Sequence, residues 1–96
     1  MTTPFKSDRA AKLAYRRTER AYEAAREQVI EHKQAARETG WSEEAFAKDA
    51  ALRAAADAAF AQMDAVYHKV IAEGHWVSSW HCGPNATRDL IAQNID

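Results

Sequence analysis

Glycine, proline and cysteine are scarce in this sequence. Among its 96 residues there are three glycines, two prolines and one cysteine. A single cysteine excludes an internal disulfide, and the chain has no glycine-rich loop of the kind that cradles phosphate groups. Because proline and glycine are the residues that interrupt helices, the long stretches between them favour a helical protein.

Long apolar runs are also missing. No segment approaches the roughly 20 apolar residues that a membrane-spanning helix needs. The first residues, MTTPFKSDR, contain no apolar region of the kind that marks a secretory signal. Since there is only one cysteine as well, we expect a cytoplasmic protein whose partners do not include a membrane.

Excess charge is lacking over the whole chain but not within its parts. The formal net charge is −1 at pH 7. Residues 1–20 carry six basic and two acidic side chains, whereas residues 21–96 carry seven basic and twelve acidic ones. A basic contact surface is therefore expected near the start of the chain, and a mostly acidic remainder follows it.

The stretch from Trp41 to Gly74 has the signals of one long helix. Ser42 is a suitable N-cap, and Trp41 and Phe46 have the spacing of a hydrophobic staple around it. Gly74 suits the left-handed position that follows a helix. Alanine, the best helix former, occupies eleven of the 21 residues from 45 to 65.

The preceding stretch predicts a partner helix of matching length. Ser7, or alternatively Thr3 before Pro4, is suited to begin it, and Gly40 ends it. Its buried edge is a heptad-type seam in which an apolar residue recurs every seven positions: Tyr15, Tyr22, Val29 and Ala36. Only residues 40–42 connect the two helices, so we expect an antiparallel hairpin.

These signals predict an all-α protein with a single domain over residues 1–96. Its main part is a long antiparallel helical hairpin, with helices at about 8–39 and 43–73 and with frayed residues 1–6. An irregular, tryptophan-rich segment and a short C-terminal helix at about 86–94 follow, so that residues 75–96 form a cap. On the outer faces, pairs such as Arg53 with Asp57 fit a solvated surface.

The second helix carries two apolar stripes. One follows a coiled-coil-like rhythm and is expected to face the first helix: Leu52, Ala56, Ala59, Met63, Val66 and Val70. The other contains larger side chains: Phe46, Phe60, Tyr67 and Ile71. Because one partner helix covers one stripe, we expect the second to form the interface of a homodimer or higher oligomer. The alternative is that residues 75–96 cover it.

Residues with metal-binding or catalytic potential are few. The one group of soft metal ligands is His68, His75, His81 and Cys82. Its spacing does not bring four ligands together in a tetrahedron. Cys82, His81 and Asn85 form an imaginable nucleophile set, yet nothing else in the chain supports catalysis. We therefore expect no metal, no cofactor and no enzymatic activity.

Two groups of residues are candidates for contact with a partner. A basic stripe steps mostly by three or four residues along the first helix: Arg9, Lys12, Arg16, Arg17 and Arg20. The C-terminal segment adds a second group: Trp76, Trp80 and His81. Tryptophan is enriched at the hot spots of protein interfaces, so this segment is a second candidate surface.

A short helical chain with no catalytic motif is expected to work by surface contact. Our leading hypothesis is a non-enzymatic binding protein that blocks or regulates a protein or ribonucleoprotein partner. Inhibitors of host defence systems that are encoded by phages and mobile elements are an example of this type. The alternative is a nucleic-acid-binding hairpin whose basic stripe follows a phosphate backbone.

Overall fold

The fold is a hairpin of two long helices. The computed structural model describes residues 3–75. Within them, α1 (Asp8–Thr39) and α2 (Glu43–Ala72) pack against each other along their length. This confirms the predicted all-α hairpin, including both helix ranges to within a residue. The predicted tryptophan-rich segment and the predicted helix at 86–94 lie outside the described residues, as does the cap over residues 75–96 apart from His75.

Each helix begins at a serine cap. The hydroxyl of Ser7 accepts a hydrogen bond from the Ala10 N–H at 3.1 Å, and the hydroxyl of Ser42 accepts one from the Ala45 N–H at 3.1 Å. Each bond satisfies one of the N–H donors that the first turn of a helix leaves without intrahelical partners. Ser7, rather than Thr3, is therefore the residue that begins α1.

Glycine follows both helices. Gly40 has a φ of 94°, and its N–H donates to the Ala36 carbonyl at 2.8 Å. Gly74 has a φ of 79°, and its N–H donates to the Ile71 carbonyl at 3.0 Å. Side chains with a Cβ rarely adopt such positive φ values, so the two glycines turn the chain where the sequence predicts that the helices stop.

The hairpin core is narrow and follows the predicted seams. The largest fully buried side chains are Tyr15 and Val29 from α1 and Met63 and Val70 from α2. Ala56 is also buried, and the smaller seam residues of α2 pack at the edges of this cluster. Because many core positions are alanine, the helices gain little apolar area per residue and depend on these few larger side chains.

The second apolar stripe of α2 does not remain one continuous surface. Phe60 lies against the Tyr22 ring with centroids 5.6 Å apart, and Tyr67 lies against Tyr15 at 6.0 Å. Both are partly buried against the hairpin core. Phe46 and Ile71, in contrast, are 60% and 48% exposed. Large aromatic rings reach across from the edge of α2, whereas the two end residues of the stripe face outward.

One predicted surface pair is wrong. Arg53 Nε donates to Asp49 Oδ2 at 2.8 Å, one turn earlier in α2, and not to Asp57. An acidic residue four positions before a basic one is the better orientation on a helix, because it agrees with the helix dipole. Asp49 and Asp57 both have the i,i+4 spacing from Arg53, and Arg53 pairs with Asp49, the partner in the favoured orientation.

Candidate binding surfaces

The five basic residues of the predicted stripe lie on the first half of α1 and form what we call the basic face. Its members are Arg9, Lys12, Arg16, Arg17 and Arg20. Arg9, Arg17 and Arg20 are exposed, whereas Lys12 and Arg16 are half-buried. Residues 9–20 rise about 16 Å along a helix axis, so the face is long enough to contact an extended partner.

Arg16 is held by a buried acid. Its Nη1 donates to Glu19 Oε1 at 2.9 Å. Glu19 is only 3% exposed, although it is charged and lies on the same helix. A buried carboxylate is stabilised by such a charge-assisted hydrogen bond. Arg16 therefore contributes to the fold. The exposed arginines of the basic face, Arg9, Arg17 and Arg20, supply more of the charge that is accessible to a partner.

An apolar side chain lies within the basic face. Leu13 is 50% exposed, four residues after Arg9 and four before Arg17. Residues at this spacing are neighbours on a helix surface. Leu13 is not among the site residues predicted from the sequence; the signal that points to it is a large apolar side chain outside the heptad seam of α1.

The closed end of the hairpin carries an aromatic corner made of His32, Trp41 and Phe46. Trp41 stacks on Phe46 with centroids 4.9 Å apart, which confirms the predicted staple. His32 packs its edge against Trp41 at 5.9 Å, and its Nε2 bonds to the Ala45 carbonyl at 2.8 Å. The corner therefore fixes the angle at which the chain enters α2, while leaving Trp41 and Phe46 partly accessible.

A groove of about 350 Å³ runs between the helices near this corner. It is lined by Gln28, Glu31, His32, Ala35, Lys48 and Leu52. Its walls combine one acid, one lysine, one histidine, one amide and two apolar residues. Such a lining can accommodate a side chain of a partner, but it contains no convergent polar set that would select one small molecule.

The open end of the hairpin is closed by what we call the end clasp. It joins Thr3, Phe5 and Asp8 to Lys69, Glu73 and His75. The Phe5 N–H donates to Glu73 Oε1 at 2.8 Å, and Lys69 Nζ donates to the Thr3 carbonyl at 2.6 Å. Lys69 also lies over the Phe5 ring, 4.1 Å from its centroid. The segment before α1 is therefore attached to the end of α2.

His75 is at the centre of the end clasp. Its Nδ1 bonds to the Asp8 carboxylate, and its Nε2 lies 3.3 Å from Glu73 Oε1. The Phe5 ring meets the imidazole edge-on at 5.9 Å. The hydrogen bond with Asp8 raises the pKa of His75 above the usual 6.5, burial opposes that rise, and the bond with Glu73 adds to it.

The predicted ligand His68 does not join this cluster. His68 pairs with Asp64 at 3.4 Å on an exposed part of α2. Within residues 3–75, no three histidine, cysteine or acidic side chains are grouped as a metal site. Trp76, Trp80, His81, Cys82 and Asn85 lie outside the described residues.

Neither of the two helices in residues 3–75 has a stretch apolar and long enough to cross a membrane. Comparisons of the chain with protein-family models, with curated proteins and with solved structures found no match.

Proposed function

We propose that this protein is a non-enzymatic binding protein that blocks or regulates a macromolecular partner through the basic face and Leu13. The observation that carries the proposal is Leu13, half exposed within a helix face that presents three exposed arginines. Arginine joined to an accessible apolar side chain is a combination that protein interfaces favour, because the apolar contact supplies affinity and the charges supply orientation.

The chemistry of this face indicates the chemistry of the partner. Exposed arginines attract acidic groups. Burial of Leu13 stabilises a complex only where the partner also offers an apolar surface. An acidic groove with an apolar floor, or an amphipathic helix with acidic edges, meets both needs. The partner is therefore proposed to be a protein, either alone or as the protein part of a ribonucleoprotein.

We propose that this binding takes place in the cytoplasm. Small inhibitors that phages and mobile elements use against host defence systems are the type of protein with which we compare it first. Such proteins act by covering a surface of a larger complex, and a hairpin whose basic side chains are concentrated on the first half of α1 suits that mode of action.

A second candidate function is nucleic-acid binding by the same helix. The exposure of Arg9, Arg17 and Arg20 on one half of α1 favours it, since each can neutralise a phosphate. Affinity would then fall steeply with salt and would not depend on Leu13. The two candidate functions thus differ in whether binding depends on Leu13.

The experiment is affinity capture from cell lysate, with and without nuclease, using the full chain and two single variants. Leu13→Ala removes the apolar contact from the basic face, and Gln34→Ala is the control, because Gln34 is exposed on the other half of α1. A protein partner that survives nuclease, is weakened by Leu13→Ala and is retained by Gln34→Ala supports the proposal. Capture of nucleic acid that is indifferent to Leu13→Ala supports the second candidate.

Self-association is a further part of the proposal. Since Phe60 and Tyr67 pack on the hairpin core, the exposed ends of the second stripe, Phe46 and Ile71, are the residues that a homodimer would cover. Sedimentation of the full chain tests this: a dimer that dissociates in the Phe46→Ser/Ile71→Ser variant is expected. A monomer at high concentration would contradict self-association without affecting the basic face.

A further inference from the structure

We propose that the end clasp is a proton-operated switch: with His75 charged it holds residues 3–8 against the end of α2, and with His75 neutral it opens. The inference does not depend on the proposed function. It follows from the positions of two carboxylates on opposite sides of one imidazole ring. The clasp joins residues 67 positions apart in sequence, so its opening separates the segment before α1 from the end of α2.

Within residues 3–75, both hydrogen-bond partners of the His75 ring are carboxylates. An ionised carboxylate accepts hydrogen bonds and donates none. Nδ1 faces Asp8 and Nε2 faces Glu73 at 3.3 Å. A neutral imidazole has one N–H and can satisfy one of these partners, whereas the imidazolium ring has two and satisfies both. The geometry of the closed clasp is therefore the geometry of a protonated histidine.

The charged groups on the elements that pack against His75 also favour its protonated form. From α1 comes Asp8, and from the end of α2 come Glu73 and Lys69, whose Nζ is 3.9 Å from Glu73 Oε2. The described residues before α1, 3–7, add no charge at the ring: Phe5 places its side chain against the imidazole, and its N–H bonds to Glu73. Lys69 partly compensates Glu73, but among these residues only His75 faces Asp8. Loss of the proton thus leaves Asp8 without its counter-charge.

The direction of the pH dependence follows from linkage. The pKa of His75 is raised on folding, so the proton stabilises the closed clasp. That stabilisation is complete below about pH 6.5, the usual value for histidine, and is lost as the pH rises through the value in the folded protein. The clasp is therefore closed on the acid side and opens toward alkaline pH.

The Phe5 amide is a direct reporter of this switch, because it donates to the same Glu73 oxygen that faces His75. NMR titration of the full chain from about pH 5 to about pH 9 should give a His75 midpoint above 6.5. The Phe5 amide signal should shift with the same midpoint, and its hydrogen exchange should speed up several-fold, beyond the intrinsic pH effect, as the clasp opens.

Two variants decide the matter. In His75→Gln the Phe5 amide should lose the transition, whereas in His68→Gln, which removes an exposed histidine of α2, the transition should remain. A Phe5 transition that survives His75→Gln overturns the proposal, as does a His75 midpoint at or below 6.5. If His75→Gln fails to fold, Asp8→Asn replaces it: the His75 midpoint should fall, and an unchanged midpoint overturns the proposal.

Discussion

Arg16 donates a hydrogen bond to Glu19 across 2.9 Å, and this contact connects the basic face of α1 to the buried side of the hairpin. The two residues are separated by one helical turn, yet one is half-buried beside solvent and the other is almost fully enclosed. One member of the basic face, Arg16, is thus held in place by a buried residue of the hairpin. Changes at this pair should affect stability first and binding second.

Replacement of Glu19 by alanine should lower the free energy of unfolding by about 1–3 kcal/mol, because a buried hydrogen-bonded charge is removed and Arg16 loses its partner. Glu23→Ala, four residues later on the exposed surface, is the matched control and should change it by less than about 0.5 kcal/mol. Urea unfolding followed by circular dichroism measures both. Equal effects at the two glutamates would show that Glu19 is not a structural residue.

Met63 should be among the most sensitive positions in the hairpin. It is fully buried in a core that contains few large side chains, so Met63→Ala should cost about 2–5 kcal/mol. Gln62→Ala, at the neighbouring exposed position, should cost less than about 0.5 kcal/mol. Thermal unfolding of the two variants makes the comparison. A Met63→Ala protein as stable as the Gln62→Ala protein would contradict the packing of α2 on α1.

The stacked pair Trp41 and Phe46 should be energetically coupled. A double-mutant cycle with alanine should give a coupling free energy of about 0.5–1 kcal/mol, toward the lower end for aromatic pairs because both rings are partly exposed. The control cycle combines Trp41→Ala with Leu13→Ala, at the far end of α1, and should be additive to within about 0.5 kcal/mol. Coupling of the same size in both cycles would contradict a specific staple.

The stability of the wild-type protein should depend on pH through His75. Its raised pKa means that the clasp contributes stability below about pH 6.5 and loses that contribution as the pH rises through the folded-state value. The difference in urea midpoint between wild type and His75→Gln should therefore be larger in mildly acidic buffer than in alkaline buffer. A difference that stays constant with pH would mean that His75 contributes by packing alone.

Much of the hairpin was predictable because its signals are local. Ser42, Trp41 and Phe46 lie within six residues of one another, and their capping and staple geometry depends on neighbouring positions only. The heptad seam of α1 likewise repeats every seven residues, which specifies a buried edge without reference to the partner.

What could not be predicted depends on contacts between distant parts of the chain. Phe60 and Tyr67 share one stripe with Phe46 and Ile71, and helical periodicity alone does not distinguish the buried members of this stripe from the exposed ones. Only the positions of Tyr22 and Tyr15 on α1 decide which rings of the stripe reach the core. The end clasp is a similar case, since nothing in the residues around His75 indicates Asp8 as its partner. The exposure of Leu13 is also a property of how α1 is placed against α2.

Charge reversal on the basic face tests the central claim most directly. The face variant changes Arg9, Arg17 and Arg20 to glutamate. The control variant changes Lys33, Arg37 and Arg53 to glutamate; these residues lie outside the basic face and the groove and give the same change in net charge. The measurement is the amount of protein partner that each variant captures from nuclease-treated lysate, relative to the amount of the variant itself. We predict that wild type and control recover the same partner and that the face variant recovers at least about tenfold less, which corresponds to about 1.4 kcal/mol. Equal recovery by the face variant, or no stoichiometric protein partner for the wild type, would contradict the account.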